Sequence, residues 1–167
     1  MPFDAPLSTR YKKMALAGLL QQDAIFPTLR VQSKKQLLQE LAVKASKLTG
    51  LPEREIFDVI LQRERLGSTG VGNGIAIPHG KLPGVTAIVG IFARLETPVD
   101  FEALDDQPVD LVFLLLAPEG AGADHLKALS RIARVLRDPD MVARLRGTES
   151  ASAIYTFLSD DQTSNAA

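Results

Sequence analysis

The chain has no cysteine and no tryptophan, and only two tyrosines and two histidines among its 167 residues. Without cysteine there is no disulfide framework, no thiol chemistry and no thiolate metal site. Without tryptophan, and with no aromatic residues interleaved among basic ones, the stacking platforms that hold single-stranded nucleic acid are missing. Neither sign of charge is in excess: 19 Lys and Arg stand against 20 Asp and Glu, a formal net charge of −1. Such a balance gives no general drive toward nucleic acid or an anionic lipid surface. Two imidazoles are too few for a histidine-built metal centre and no carboxylate constellation joins them, so neither a metal nor a bound cofactor is expected. Long apolar runs are lacking as well. Met14 to Leu20 is at the short limit of a signal-peptide core, has no convincing small-residue cleavage site before Gln21, and reads as a folded helix. No segment approaches the length that crosses a bilayer, and a cytoplasmic protein without membrane insertion is expected.

What is present suits one well-buried core: 46% of the residues are hydrophobic, and the length is short for two domains. Residues 1–14 read as an N-terminal extension, 15–158 as the domain and 159–167 as a flexible tail. Leu16 to Leu20 predict a short helix, and Ala24 to Val31, interrupted by Pro27, an edge strand. Ser33 followed by Gln36 is a capping-box pattern, and the apolar stripe Leu37, Leu38, Leu41 and Leu48 ends at Gly50, which defines an amphipathic helix. Pro52 suits the first position of a second helix. Its Ile56, Phe57, Ile60 and Leu61 share one face, and its end delivers Arg63 and Arg65 to a glycine-rich run. Thr86 to Ala93 reads as a strand, Thr97 to Pro108 as a loop, and Val109 to Ala117 as a central strand covered on both faces. Asp124 is placed to cap a helix whose Leu126, Leu129, Ile132, Ala133 and Leu136 recur at helical spacing. Pro139 breaks that pattern, and short helices follow to Leu158. The order points to an α/β domain, a small mixed sheet flanked by helices on both faces. Lys34 and Lys35 read as an exposed helix start and Asp105 and Asp106 as a solvated loop.

The stretch from Gly67 to Lys81 carries the chemistry. Gly67, Gly70, Gly72 and Gly74 allow close backbone approach, Ile75 to Ile77 suit a brief buried strand, and Pro78 ends that strand just before His79. A phosphate-binding loop of Walker type is excluded because five residues separate Gly74 from Gly80 and Leu82 follows Lys81 where Ser or Thr is needed. A dinucleotide fingerprint is excluded because these glycines precede a strand instead of opening a helix. A histidine at a strand end is ordinarily a satisfied polar residue, and Arg63 by itself is an ordinary helix-end cation. Yet His125 stands at a helix start, where free N–H groups favour an oxyanion. A neutral imidazole is a nucleophile, and phosphoryl transfer needs little beyond in-line positioning and donors around the oxygens. His79 as nucleophile, His125 as donor and Arg63 as a bidentate guanidinium make phosphoryl handling the chemistry to test.

Glu64, six intervening residues, Val71-Gly72, two more, then Ile75-Ala76-Ile77-Pro78-His79-Gly80 resembles the active-site signature of type-2 (mannitol/fructose-type) IIA domains of the bacterial phosphoenolpyruvate phosphotransferase system. The run from Arg63 to Lys81, with Glu96-Thr97-Pro98-Val99 and Asp106-Gln107-Pro108-Val109-Asp110, is most similar to the nitrogen-regulatory branch of that family. The resemblance covers about residues 15 to 158 and departs from the motif nowhere. It implies that His79 accepts a phosphoryl group on Nε2 from a small HPr-like carrier. By the same resemblance His125 is the second active-site histidine and Arg63 the active-site arginine. A regulatory phosphoprotein is the leading expectation, because the sequence holds no IIB-like or membrane segment. Targets such as sensor kinases or potassium-transport proteins are what the resemblance implies. The alternatives are a stand-alone sugar-specific IIA component that hands phosphate to a separate IIB protein, and a binding module without phosphotransfer.

Overall fold

The computed structural model of the chain describes residues 16–159. The N-terminal extension 1–14, Ala15 at the start of the expected domain and the tail beyond 159 lie outside the described residues. A single 3₁₀ turn, Leu16–Gly18, stands where a short helix was expected, and β1 (Leu20–Leu29) follows at once. Two helices, α1 (Lys34–Thr49) and α2 (Glu53–Leu66), lead into three short strands, β2 (Gly70–Gly72), β3 (Ile75–Ala76) and β4 (His79–Leu82). Two long strands, β5 (Val89–Val99) and β6 (Val109–Pro118), precede α3 (Ala123–Val135), α4 (Pro139–Arg146) and α5 (Ala151–Ser159).

Local signals set the first helix as expected. The Ser33 hydroxyl accepts the Gln36 N–H at 3.1 Å, Gln36 Oε1 accepts the Gln32 N–H, and Gly50 closes the helix in the left-handed conformation at φ 79°. Pro52 is the N-cap residue of α2, one position earlier than the sequence pattern suggested.

The mixed sheet runs β1-β5-β6-β3-β2, with β4 also paired to β6. β1 is the edge strand expected of a segment containing Pro27, and it lies parallel to β5, which is antiparallel to β6. Every residue from Leu111 to Ala117 is buried, so both faces of β6 are covered. Phe92 and Phe113 pack across β5 and β6, and with Phe101 they are fully buried, each worth about 1.5–3 kcal/mol of transfer free energy.

Strand limits differ from expectation in three places. β1 runs from Leu20 to Leu29, not from Ala24 to Val31. β5 starts at Val89, not Thr86, and continues through Thr97, Pro98 and Val99. A register break between Arg94 and Val99 removes the ladder bond that Pro98 could not have made. Pro78, expected to end the apolar strand for good, only interrupts it. Ile75 and Ala76 pair with Leu111 and Val112, and His79 and Gly80 with Leu115 and Leu116, at an unchanged offset. The Pro78 carbonyl accepts the Leu115 N–H at 3.0 Å across the gap. His79 therefore opens a strand and does not sit in a surface turn.

Candidate functional site

α2 lies against β4 because β4 has a glycine where the two meet. A Cβ on Gly80 would stand 2.6 Å from Val59 Cγ1 of α2, so a side chain there would have to displace Val59 from this contact. With the helix seated, its last turn brings Arg63 over the start of β4, where Arg63 Nε donates to His79 Nε2 at 3.3 Å. Arg63 Nη1 donates to the Gly67 carbonyl at 2.9 Å, fixing the guanidinium plane from its other side.

Both ring nitrogens of His79 thus have partners, and the partners decide the tautomer. Nδ1 is 2.9 Å from the Ile77 carbonyl, which can only accept, so Nδ1 carries the proton. Nε2 carries the lone pair and faces a group that can only donate. Burial lowers the His79 pKa below the ordinary imidazole value; the Ile77 carbonyl opposes this, the Arg63 charge adds to it, and the Glu64 charge opposes it. The result is a neutral imidazole with its nucleophilic nitrogen presented to a cationic fork.

His125 stands edge-on to that ring, 5.5 Å between centroids and at 70° between planes. It lies in the first turn of α3 and is buried; its Nδ1 has no hydrogen-bond partner, and burial first, then the neighbouring His79 and Lys81, lower its pKa. Asp124 does not cap this helix. Gly122 occupies the cap position without a side-chain bond, because the chain turns into the helix earlier, with the Asp124 N–H already bonded to the Ala121 carbonyl. The inward face is His125, Ala128 and Ile132, which leaves Leu126 64% exposed instead of in the apolar stripe.

The three expected residues share one cavity of about 800 Å³, with Arg65, Lys81 and the exposed Leu66 and Leu126 also on its lining. A phosphoryl-sized anion on Nε2 would lie beside the Arg63 fork and the second imidazole, which the first turn of α3 supplies. Among the described residues no group of three or more His, Asp or Glu is arranged to hold a metal ion, and no helix is long and apolar enough to cross a membrane.

Glu64 entered the sequence reading only as the first residue of the signature, with no contact assigned to it, and Lys34 corrects an expectation. It is not an exposed helix start: its ammonium lies 3.0 Å from Glu64 Oε1 and 4.5 Å from the centre of the Phe101 ring. Glu64 is buried and accepts from the Thr69 N–H at 3.1 Å and from the Thr69 hydroxyl. Asp105 is exposed, as expected of a solvated loop, but its carboxylate accepts the Asn73 and Gln107 N–H groups, which lower its pKa. Asn73 and Gly74, at φ 57° and 82°, form the tight turn between β2 and β3. The Asn-Gly pair is itself a hairpin signature, hidden in the sequence by the glycines around it.

Residues 18–161 match the family model described as phosphoenolpyruvate-dependent sugar phosphotransferase system, EIIA 2. A protein of Bradyrhizobium diazoefficiens named nitrogen regulatory protein is 63% identical over 145 residues, which cover 87% of this chain and 95% of that one. The crystal structure of nitrogen regulatory protein IIA-Ntr from Neisseria meningitidis superposes with a TM-score of 0.82 at 36% identity, covering 86% of this chain and 98% of that one. Escherichia coli enzyme IIA mannitol, solved in complex with phosphorylated enzyme IIB mannitol, has the same fold, with a TM-score of 0.70 at 23% identity over 84% of this chain and 98% of its own. The mixed six-stranded sheet with five helices, the matched span and these relatives together place the chain in the type-2 EIIA family of the phosphotransferase system, among its nitrogen-regulatory members.

Proposed function

We propose that the protein is a regulatory phosphoprotein of the nitrogen phosphotransferase system, and that His79 is its phosphoacceptor. The observation that carries this is the double restraint on His79: Nδ1–H held by the Ile77 carbonyl and Nε2 turned, unprotonated, toward Arg63. The Nε2 lone pair attacks the phosphorus of a carrier phosphohistidine, the N–P bond to the carrier breaks, and the carrier nitrogen keeps the electron pair. No proton has to move, because the His79 proton already sits on Nδ1. Arg63 then exchanges its bond to Nε2 for bonds to the phosphoryl oxygens, with the neighbouring His125 ring as a further donor.

A protein donor suits the site better than a small molecule, since Leu66 and Leu126 stand 84% and 64% exposed at the cavity rim. An HPr-like phosphocarrier in the cytoplasm is the donor this reading names. A phosphoryl group adds about two negative charges at one spot, enough to change which proteins bind there; sensor kinases or potassium-transport proteins are the targets the reading suggests.

Incubation with the phosphorylated carrier should produce acid-labile, base-stable label on the wild type and none on His79→Ala, whose circular dichroism should match the wild type. Label on a histidine of His79→Ala would refute the assignment. Onward transfer of label from His79 to a IIB protein would make the protein a sugar-uptake component instead of a regulator.

A further inference from the structure

The residues that touch the reacting nitrogen are held by others that do not. Ile77 supplies the carbonyl that fixes the His79 tautomer, and the Ile77 N–H is itself donated to the Thr69 carbonyl at 3.0 Å. Thr69 is held in turn by Glu64, through its N–H at 3.1 Å and through its hydroxyl. Glu64 is the next residue after Arg63, and the loop it closes includes Gly67, whose carbonyl receives Arg63 Nη1 at 2.9 Å. Lys34, from the start of α1, completes the carboxylate's partners at 3.0 Å. One buried carboxylate therefore stands behind both contacts of the imidazole.

We propose that Glu64, with Thr69 and Lys34, is a positioning residue for phosphoryl transfer at His79, acting through the Ile77 carbonyl on Nδ1 and through the Gly67 carbonyl on Arg63. Fold stability alone does not call for a buried ion pair: well-packed apolar residues commonly do as well or better at such positions. A carboxylate that receives donors from two directions holds the 67–69 loop at a defined distance from the end of α2, which apolar packing does not specify. Misplacement of a reacting group by about 1 Å costs a rate on the order of a hundredfold, so a loop held less firmly should be visible in transfer kinetics. This inference rests on the phosphotransfer reading, but the state of the imidazole can be read without any transfer.

Glu64→Gln keeps the volume and one acceptor for Thr69, while Lys34 retains Glu102, 3.4 Å away, as a partner. Thr69→Val exchanges the hydroxyl for a methyl of similar shape, and Thr69→Ser keeps the hydroxyl. In histidine-¹⁵N-labelled protein, where the chain's two histidines are told apart by a His125 substitution, the wild type should show His79 protonated on Nδ1 and unprotonated on Nε2. Glu64→Gln and Thr69→Val should mix in the other tautomer and slow phosphorylation by about tenfold, with the carrier KM changed less than about twofold. Thr69→Ser should return both to wild type. Wild-type tautomer populations and rates in folded Glu64→Gln and Thr69→Val would overturn the proposal, as would a lowered melting temperature with neither readout moved. Should the wild type take no phosphate at all, the functional reading fails, while the tautomer spectra still decide the positioning role.

Discussion

Two ion pairs hold the segment that presents His79, one at its start and one at the hairpin tip within it, and they are built differently. At the entry, Lys34 and Glu64 meet at 3.0 Å with side chains only 16% and 2% exposed. At the hairpin tip, Arg146 and Asp110 meet at 2.8 Å with side chains 40% and 23% exposed, in a two-pronged contact that also reaches the Asn73 carbonyl. The geometry of the second pair is as good as that of the first. What differs is water. Around the exposed pair, solvent screens the attraction and resolvates whichever partner is left alone, so a well-made bond there contributes little. Around the buried pair a lone charge has nowhere to go, so removing one partner is costly even though the pair as a whole is not strongly stabilising. The anchor nearer His79 is thus rigid but intolerant, and the distant one is forgiving.

Lys34→Met should break this contrast most severely. It leaves the Glu64 carboxylate buried with only Thr69 as partner, and chemical denaturation should show a loss of about 3 kcal/mol. Arg146→Ala should cost about 1 kcal/mol in the same measurement, with phosphorylation kinetics unchanged. Equal losses from the two variants would remove the distinction between the anchors. The smallest effect concerns pH. His79 and His125 both have folded-state pKa values below the ordinary imidazole value, near 6.5, so the unfolded chain binds more protons on acidification. Above that value the rings are neutral in both states and pH has no leverage through them, and stability should fall as the pH drops through it. The fall should flatten in His79→Ala, and an undiminished slope there would show that other groups carry it. The transfer rate should likewise be flat above neutral pH and decline only where Nε2 becomes protonated.

Elements governed by neighbours in sequence were legible. Ser33, Gln36 and Gly50 bound α1 through contacts within a single turn, and the unbroken apolar run of β6 announced a strand buried on both faces. Segments whose state depends on distant partners were not. Pro98 reads as a loop until the register break beside it is seen, and Asp124 reads as a cap until Gly122 is found in that place. Lys34 looks exposed from its own helix because the residues that bury it, Glu64 and Phe101, come from elsewhere in the chain.

For the site, sequence nominated His79 through the signature that ends in Pro-His-Gly, and His125 and Arg63 through their places at a helix start and a helix end and through the family resemblance. It could not say that Gly80 makes room for Val59, that Arg63 thereby reaches Nε2, or that the Ile77 carbonyl chooses the proton's place. Residue identity and periodicity are properties of the chain and follow from local sterics and hydrophobic pattern. A tautomer, a lowered pKa and a buried charge pair belong to the packed molecule, because each depends on how much water the folded neighbours displace and where their polar groups end up.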